Sequence, residues 1–170
     1  MGQITHTRHI RAPRVTVWEW LADYTNIHRF HPLLNTVTQE TPEACGIGAV
    51  RRCDLKDGQF LRERVVDWNE GEWYRVEIFE SSMPLASAFG TLGVSDAADG
   101  GSEAYMIMDY TPKFGPLGRL MDRMMMRRMM GGMMQQVLAA LAQSVEADAV
   151  GPAEASPAPE SDAQPACACR

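Results

Sequence analysis

The sequence predicts one α+β domain, in which a curved antiparallel sheet of about seven strands wraps around a single long C-terminal helix. Two observations favour this fold class. Segments with strand character follow one another through the middle of the chain with only short turns between them, which is typical of antiparallel sheets. A long proline-free stretch follows, and its apolar residues recur at helical spacing, so this helix must bury an apolar stripe against the sheet.

One strand and two short helices are predicted at the start of the chain. Gln3 to Ile10 alternates weakly, as a strand does, and Pro13 can occupy the first turn of the helix that follows. That helix, around Val15 to Leu21, has an apolar face. Tyr24 to His31 is a second short helix in this interpretation, and Pro32 ends it.

Six further strands are predicted in the body of the chain. Turn residues separate them, most clearly at Asn69-Glu70-Gly71 and at Ala98-Asp99-Gly100-Gly101. The predicted strands are Leu34 to Glu40, Ala49 to Leu55, Phe60 to Trp68, Trp73 to Glu80, Leu85 to Val94 and Glu103 to Tyr110.

The register of the hairpin at Asn69-Glu70-Gly71 decides which charged side chain faces the interior. With a two-residue turn, Arg64 pairs with Glu77 and Glu63 lies on the apolar inner side. With a three-residue loop and a bulge, the pairing shifts by one, and Arg62 or Arg64 faces inward. An inward glutamate suits a ligand hydroxyl, whereas an inward arginine suits an acidic head group. The sequence leaves both registers open.

The long helix is predicted from Leu117 to Val145, and Gly131-Gly132 is its weakest point. Core filling and the lining of an adaptable pocket explain its methionines equally well, because thioether side chains are unbranched and flexible. A Cu(I) site is a third alternative, but no cysteine or histidine cluster supports it. The methionines in question are Met121, Met124, Met125, Met126, Met129, Met130, Met133 and Met134.

Small residues in the sheet predict an internal cavity. Ala86, Ala88, Gly90 and Gly93 lie in one strand beside a strand with bulky side chains, and small residues beneath a helix leave volume that a ligand usually fills. The residues predicted to line this pocket are Trp18, Phe30, Glu63, Tyr74, Phe89, Met106, Met108, Tyr110, Met124, Met130, Met134 and Leu138.

Four loose motifs follow one another along the chain. They are Ile10-Arg11-Ala12-Pro13 before Val17-Trp18, Tyr24 to Pro32, Glu63 to Trp68, and Asp109-Tyr110-Thr111-Pro112 before Gly115-Pro116-Leu117-Gly118. Taken in order, these motifs resemble the START-like, birch-pollen-allergen-like (SRPBCC) superfamily, and within it the polyketide cyclase/dehydrase and lipid-transport group. The resemblance covers about residues 3 to 147. It implies a helix-grip fold with a deep apolar cavity, but it does not fix the ligand, since members include lipid carriers, quinone-binding proteins, aromatase/cyclases, stress proteins and chaperone activators.

Catalytic, metal and cofactor sites are not predicted. The chain has no Gly-x-Ser-x-Gly elbow, no glycine-rich phosphate loop and no zinc signature. An aromatase/cyclase would need only one acid or base, for which Glu63, Asp109 or Tyr110 are candidates. His28 and His31 have the spacing of a helical pair but lack a third metal ligand.

Charge and composition limit the partners. A net charge of −6 argues against nucleic-acid binding, although Arg119, Arg123, Arg127 and Arg128 could form a local basic patch. No apolar run is long enough to span a bilayer, and the first residues lack the features of a signal peptide, so a cytoplasmic location is expected. Reduced thiols are expected for Cys45, Cys53, Cys167 and Cys169.

Residues 1–148 are therefore expected to form the ligand-binding domain, and 149–170 a disordered tail rich in proline and alanine. The favoured function is binding or transport of a small hydrophobic molecule such as a lipid, a quinone or a polyketide-like compound. The alternatives are a polyketide cyclase/dehydrase and a protein-interaction module that uses the Arg/Met-rich helix.

Overall fold

Alternating strand patterns and short turns fold the middle of the chain into one antiparallel sheet. The computed structural model describes residues 2–113 and 126–149, and within these ranges seven strands form a single sheet. Each strand ends within two residues of its predicted limits. The strands are β1 Gly2–Ile10, β2 Leu34–Gln39, β3 Val50–Leu55, β4 Phe60–Asn69, β5 Trp73–Ser81, β6 Leu85–Asp96 and β7 Ser102–Pro112.

The strand order is β1-β7-β6-β5-β4-β3-β2, so β1 and β2 form the two edges. From β2 to β7 every strand pairs with the next one along the chain, as short turns require. The connection from β1 to β2 holds two short helices, α1 at Arg14–Ala22 and a 3₁₀ helix at Tyr24–Arg29. The predicted α+β fold, with two short helices after the first strand, is confirmed.

The long helix, α2, covers Arg127–Ala149 and packs mainly on β1, with further contacts to β7 and α1. Its buried stripe includes Met130, Met134, Leu138 and Val145, as the helical spacing predicts. We call the sheet face that carries this helix the inner face. The predicted start of the helix at Leu117 lies outside the described residues.

The hairpin between β4 and β5 combines both predicted registers. Asn69 pairs with Trp73, which leaves a three-residue loop with Gly71 at positive φ. A bulge between Val65 and Asp67 then shifts the pairing by one residue. Beyond the bulge Arg64 pairs with Glu77, which is the register predicted for a two-residue turn. Glu63 consequently faces inward. The two arginines beside it, Arg62 and Arg64, lie on the outer face against the ring of Phe79.

Two of the four cysteines lie in the described part of the chain. Cys53 is a free, buried thiol. The prediction of a reduced thiol is wrong for Cys45, which is disulfide-bonded. Cys167, Cys169, the predicted tail, and Arg119 and Arg123 of the predicted basic patch lie outside the described residues. Within the described ranges, the helices are too short or too polar to cross a membrane.

The two adjacent glycines of α2 should respond differently to alanine. A methyl group at Gly132 would meet nothing within 4 Å, whereas one at Gly131 would lie 3.1 Å from Nε2 of His6. Alanine is favoured over glycine in helices by about 1 kcal/mol. We expect Gly132→Ala to gain most of that in urea unfolding and Gly131→Ala to gain little or lose stability. Equal gains at both positions would show that α2 does not pack tightly on β1 through Gly131.

Candidate functional site

A cavity of about 460 Å³ lies between α2 and the inner face of the sheet. Its walls are mostly apolar. Sheet and loop residues line one side, and a methionine-rich face of α2 lines the other. The apolar lining residues are Ile27, Leu33, Leu34, Cys53, Leu55, Leu61, Ile78, Met83, Leu85, Leu92, Met106, Met108, Met129, Met130 and Met133.

Strand alternation explains which residues reach this cavity. On β3, Arg51, Cys53 and Leu55 point inward, because side chains two positions apart share a face. On β4, Leu61 and Glu63 do the same. The register pairs Arg51 directly with Glu63, so the two charged side chains meet at the buried end of the cavity.

Arg51 and Glu63 form a buried ion pair. Arg51 is 2% exposed and Glu63 is 9% exposed, and among the described residues they are the only buried charged side chains. The Arg51 Nε donates to Glu63 Oε2 over 2.7 Å, and its Nη2 lies 2.6 Å from the same oxygen. Such a pair is stable inside a protein only when both groups stay satisfied, so its geometry fixes β3 against β4.

Tyr24, the first residue of the 3₁₀ helix, contacts both members of the ion pair. Its ring lies 3.8 Å from the guanidinium carbon of Arg51, and its backbone carbonyl accepts a hydrogen bond from Arg51 Nη1. The Tyr24 hydroxyl donates to the backbone carbonyl of Glu63 over 3.3 Å. The short connection after β1 is thereby tied to the cavity wall.

Three titratable groups near the ion pair, His31, Cys53 and Tyr74, remain uncharged near neutral pH. Burial, together with the nearby Arg51 charge, lowers the pKa of His31 to about 4. Burial raises the pKa of Cys53 to about 12, and it does the same for Tyr74. Burial alone would lower the pKa of Arg51, but its neighbours, Glu63 foremost, keep it above its ordinary value. The buried end of the cavity therefore holds one positive and one negative charge.

His31 offers a polar atom without a partner. Its side chain lines the cavity, and its Nδ1 atom is buried and makes no hydrogen bond within the described part of the chain. His28, by contrast, is exposed, and the two histidines do not share an environment.

Exposed and half-buried residues mark the opening of the cavity. Asp57 and Gln59 line it from the β3–β4 turn, and Arg128, Met129 and Gln136 line it from the first turns of α2. Met129 is 61% exposed, although large apolar side chains are normally covered. Of the opening's residues that the structure describes, the two charged ones, Asp57 and Arg128, are of opposite sign.

Some of the residues predicted for the pocket line this cavity. They are Glu63, Met106, Met108 and Met130. Met124 lies outside the described residues. Among the candidate acids and bases, Asp109 lies on the outer face, where its carboxylate binds Arg75 and Gln3. Of those candidates, Glu63 is the one that lines the cavity.

Trp18 and Tyr74 do not line the cavity but belong to an aromatic cluster between the β4–β5 turn and the ring of Tyr24, which Tyr74 meets edge-on at 5.7 Å. Trp68 stacks on Tyr74 with ring centroids 5.4 Å apart, and Trp18 meets Trp68 edge-on at the same distance. The indole nitrogens of Trp18 and Trp68 both donate to the carboxylate of Glu70, over 2.9 and 2.7 Å. Glu70 therefore satisfies both indole N–H groups, and the packed rings fill this end of the domain.

The remaining predicted pocket residues are also displaced from the cavity. Phe30 is buried in the core, and Tyr110 is fully buried with its ring against Gly2 of β1. Phe89 lies on the outer face under the guanidinium of Arg75, because its neighbours Ala88 and Gly90 take the inner positions. Met134 and Leu138 lie further along α2, in the buried helix–sheet contact.

Sequence reasoning missed Arg51 and did not assign His31 to a pocket. One signal was available for Arg51, since it alternates with Cys53 and Leu55 in a predicted strand. An arginine in that pattern is ordinarily read as solvent-exposed, because arginine is almost never fully buried unless paired. Its partner lies in the next strand and cannot be seen from local sequence.

Comparisons with known proteins identify the family and the fold. Residues 1–146 match the family model described as polyketide cyclase / dehydrase and lipid transport. No curated protein matches the chain significantly.

Solved structures share the fold at low identity. XoxI from Bacillus cereus is 19% identical, with a TM-score of 0.72 over 86% of this chain and 96% of that one. The ZhuI aromatase/cyclase from Streptomyces sp. R1128 is 17% identical, with a TM-score of 0.73 over 85% and 93%. Ara h 8.0201 is 15% identical, with a TM-score of 0.64 over 85% and 97%.

Proposed function

Because the chain belongs to the polyketide cyclase/dehydrase and lipid-transport family, as the resemblance of its motifs implied, we propose that it binds or transports a small hydrophobic molecule in the cavity beneath α2. Lipids, quinones and polyketide-like compounds are the candidate ligands. The observation that carries the proposal is the cavity itself, whose volume of about 460 Å³ is typical of small-molecule sites.

The lining supports an apolar ligand. Folded interiors pack closely, so a cavity of this size with mostly apolar walls is costly to leave unfilled. A ligand gains about 25 cal/mol for each Å² of apolar surface that it buries, before the costs of association. Methionines on the α2 wall, including Met130 and Met133, adapt to different apolar shapes.

A polyketide cyclase or dehydrase reaction is the second candidate, and one observation favours it. Glu63 places a carboxylate at the cavity wall, where a general acid or base would be needed. This carboxylate is already engaged by Arg51, whose Nε and Nη2 both contact its Oε2. The pairing suits a structural or orienting group better than one that exchanges protons, so binding remains the first proposal.

Saturable binding of an apolar probe tests the proposal. The full chain should bind an environment-sensitive apolar dye with one-site behaviour, and native mass spectrometry of the purified protein should reveal a co-purified lipid, quinone or polyketide. Turnover of a supplied polyketide would favour the enzyme instead. A protein that binds no apolar molecule, but captures one protein partner through α2, would overturn both proposals.

A further inference from the structure

The charges at the buried end of the cavity cancel. Arg51 lines the cavity there, but two of its nitrogens are engaged by the Glu63 carboxylate and a third by the Tyr24 carbonyl. Among the described residues no other buried side chain carries a charge. A ligand that reaches this end meets a neutral pair and not an available cation.

We propose that the ligand is an apolar molecule whose buried end is uncharged, and that carboxylates are disfavoured. The inference rests on the proposed ligand-binding function and specifies its ligand class. A carboxylate at the buried end would lose its hydration and face the like charge of Glu63. Because Arg51 already pairs with Glu63, no buried cation offsets that loss.

Decanol and decanoate are matched probes for this proposal, because they share one alkyl chain and differ in the head group. Their affinities are measured by displacement of the apolar dye from the full chain, at a mildly alkaline pH that keeps decanoate ionised. We expect decanol to bind more tightly by about tenfold or more. Decanoate that binds as tightly as decanol, with its head group at the opening near Arg128 for example, would overturn the inference.

Removing the Glu63 charge distinguishes the effect of the Arg51–Glu63 pair from a general preference of the apolar cavity for neutral ligands. In Glu63→Gln the amide oxygen can still accept from Arg51, but the guanidinium loses its counter-charge. Decanoate should then bind about tenfold more tightly than it does to the wild type, and the preference for decanol over decanoate should shrink by a similar factor. The control is Glu80→Gln, which removes the same charge from the outer-face pair with Arg62 and leaves the cavity lining intact.

The outcomes are distinct. An unchanged decanoate affinity in folded Glu63→Gln, or an equal gain in Glu80→Gln, would overturn the inference and leave the proposed function standing. If Glu63→Gln does not fold, the relative affinities of decanol and decanoate for the wild type test the inference on their own. Wild-type protein that binds neither probe nor the dye would overturn the proposed function itself.

Discussion

Replacing Glu63 with methionine should cost about 3–5 kcal/mol of folding free energy, because it leaves the Arg51 guanidinium buried without a counter-charge. A guanidinium does not release its proton under ordinary conditions, so the protein cannot escape this cost by neutralising the group. Urea unfolding measures the loss, and the thermal midpoint should fall by roughly 2–4 °C per kcal/mol for a domain of this size.

The partner substitution, Arg51→Met, should cost less. A buried carboxyl group can take up a proton and become neutral, whereas an arginine cannot. Replacing both Arg51 and Glu63 with methionine removes both charges, and apolar replacements of buried ion pairs are often near neutral. The double variant should therefore be more stable than Glu63→Met alone.

The matched control lies on the outer face. Glu80→Met removes the carboxylate that lies 2.7 Å from Arg62, but this pair is exposed to water and Arg62 keeps a second partner in Glu40. Exposed pairs contribute little, so stability should hardly change. Similar losses in Glu63→Met and Glu80→Met would contradict the burial argument.

The fold was predictable because its signals are local. Alternation of apolar and polar residues indicates the strands, and turn residues such as Asn69-Glu70-Gly71 indicate where one strand ends and the next begins. The apolar stripe of α2 is likewise visible at a period of three to four residues. These patterns determine which faces are buried, and the antiparallel order follows from the short connections.

The candidate site was less predictable because it depends on contacts between distant residues. Burial of Arg51 requires Glu63 opposite it, and that pairing follows from the β3–β4 register. The helical stripe predicted that Met130, Met134 and Leu138 are buried, but it could not show where along α2 the helix separates from the sheet. Only Met130 of these three lines the cavity that this separation leaves.

Met130→Lys should abolish most apolar ligand binding and leave the fold intact, whereas Met134→Lys should mainly destabilise the fold. Met130 lines the cavity, so a lysine there places an ammonium group in the ligand's volume, where water hydrates it in the free protein but a bound apolar ligand would strip that water away. We expect dye affinity to fall by about tenfold or more. Met134, one turn later, is fully buried and lines no part of the cavity, so a charge there is desolvated at a cost of about 2–4 kcal/mol.

Gln143→Lys is the control, since it adds the same charge to an exposed position of α2 away from the cavity. It should bind the dye as the wild type does and keep the same far-UV circular dichroism spectrum and thermal midpoint. Binding titrations and thermal melts on the three variants separate loss of the site from loss of the fold. A folded Met130→Lys protein with wild-type affinity would mean that the ligand does not occupy the space beneath α2, because an ammonium group within a filled apolar cavity must weaken binding.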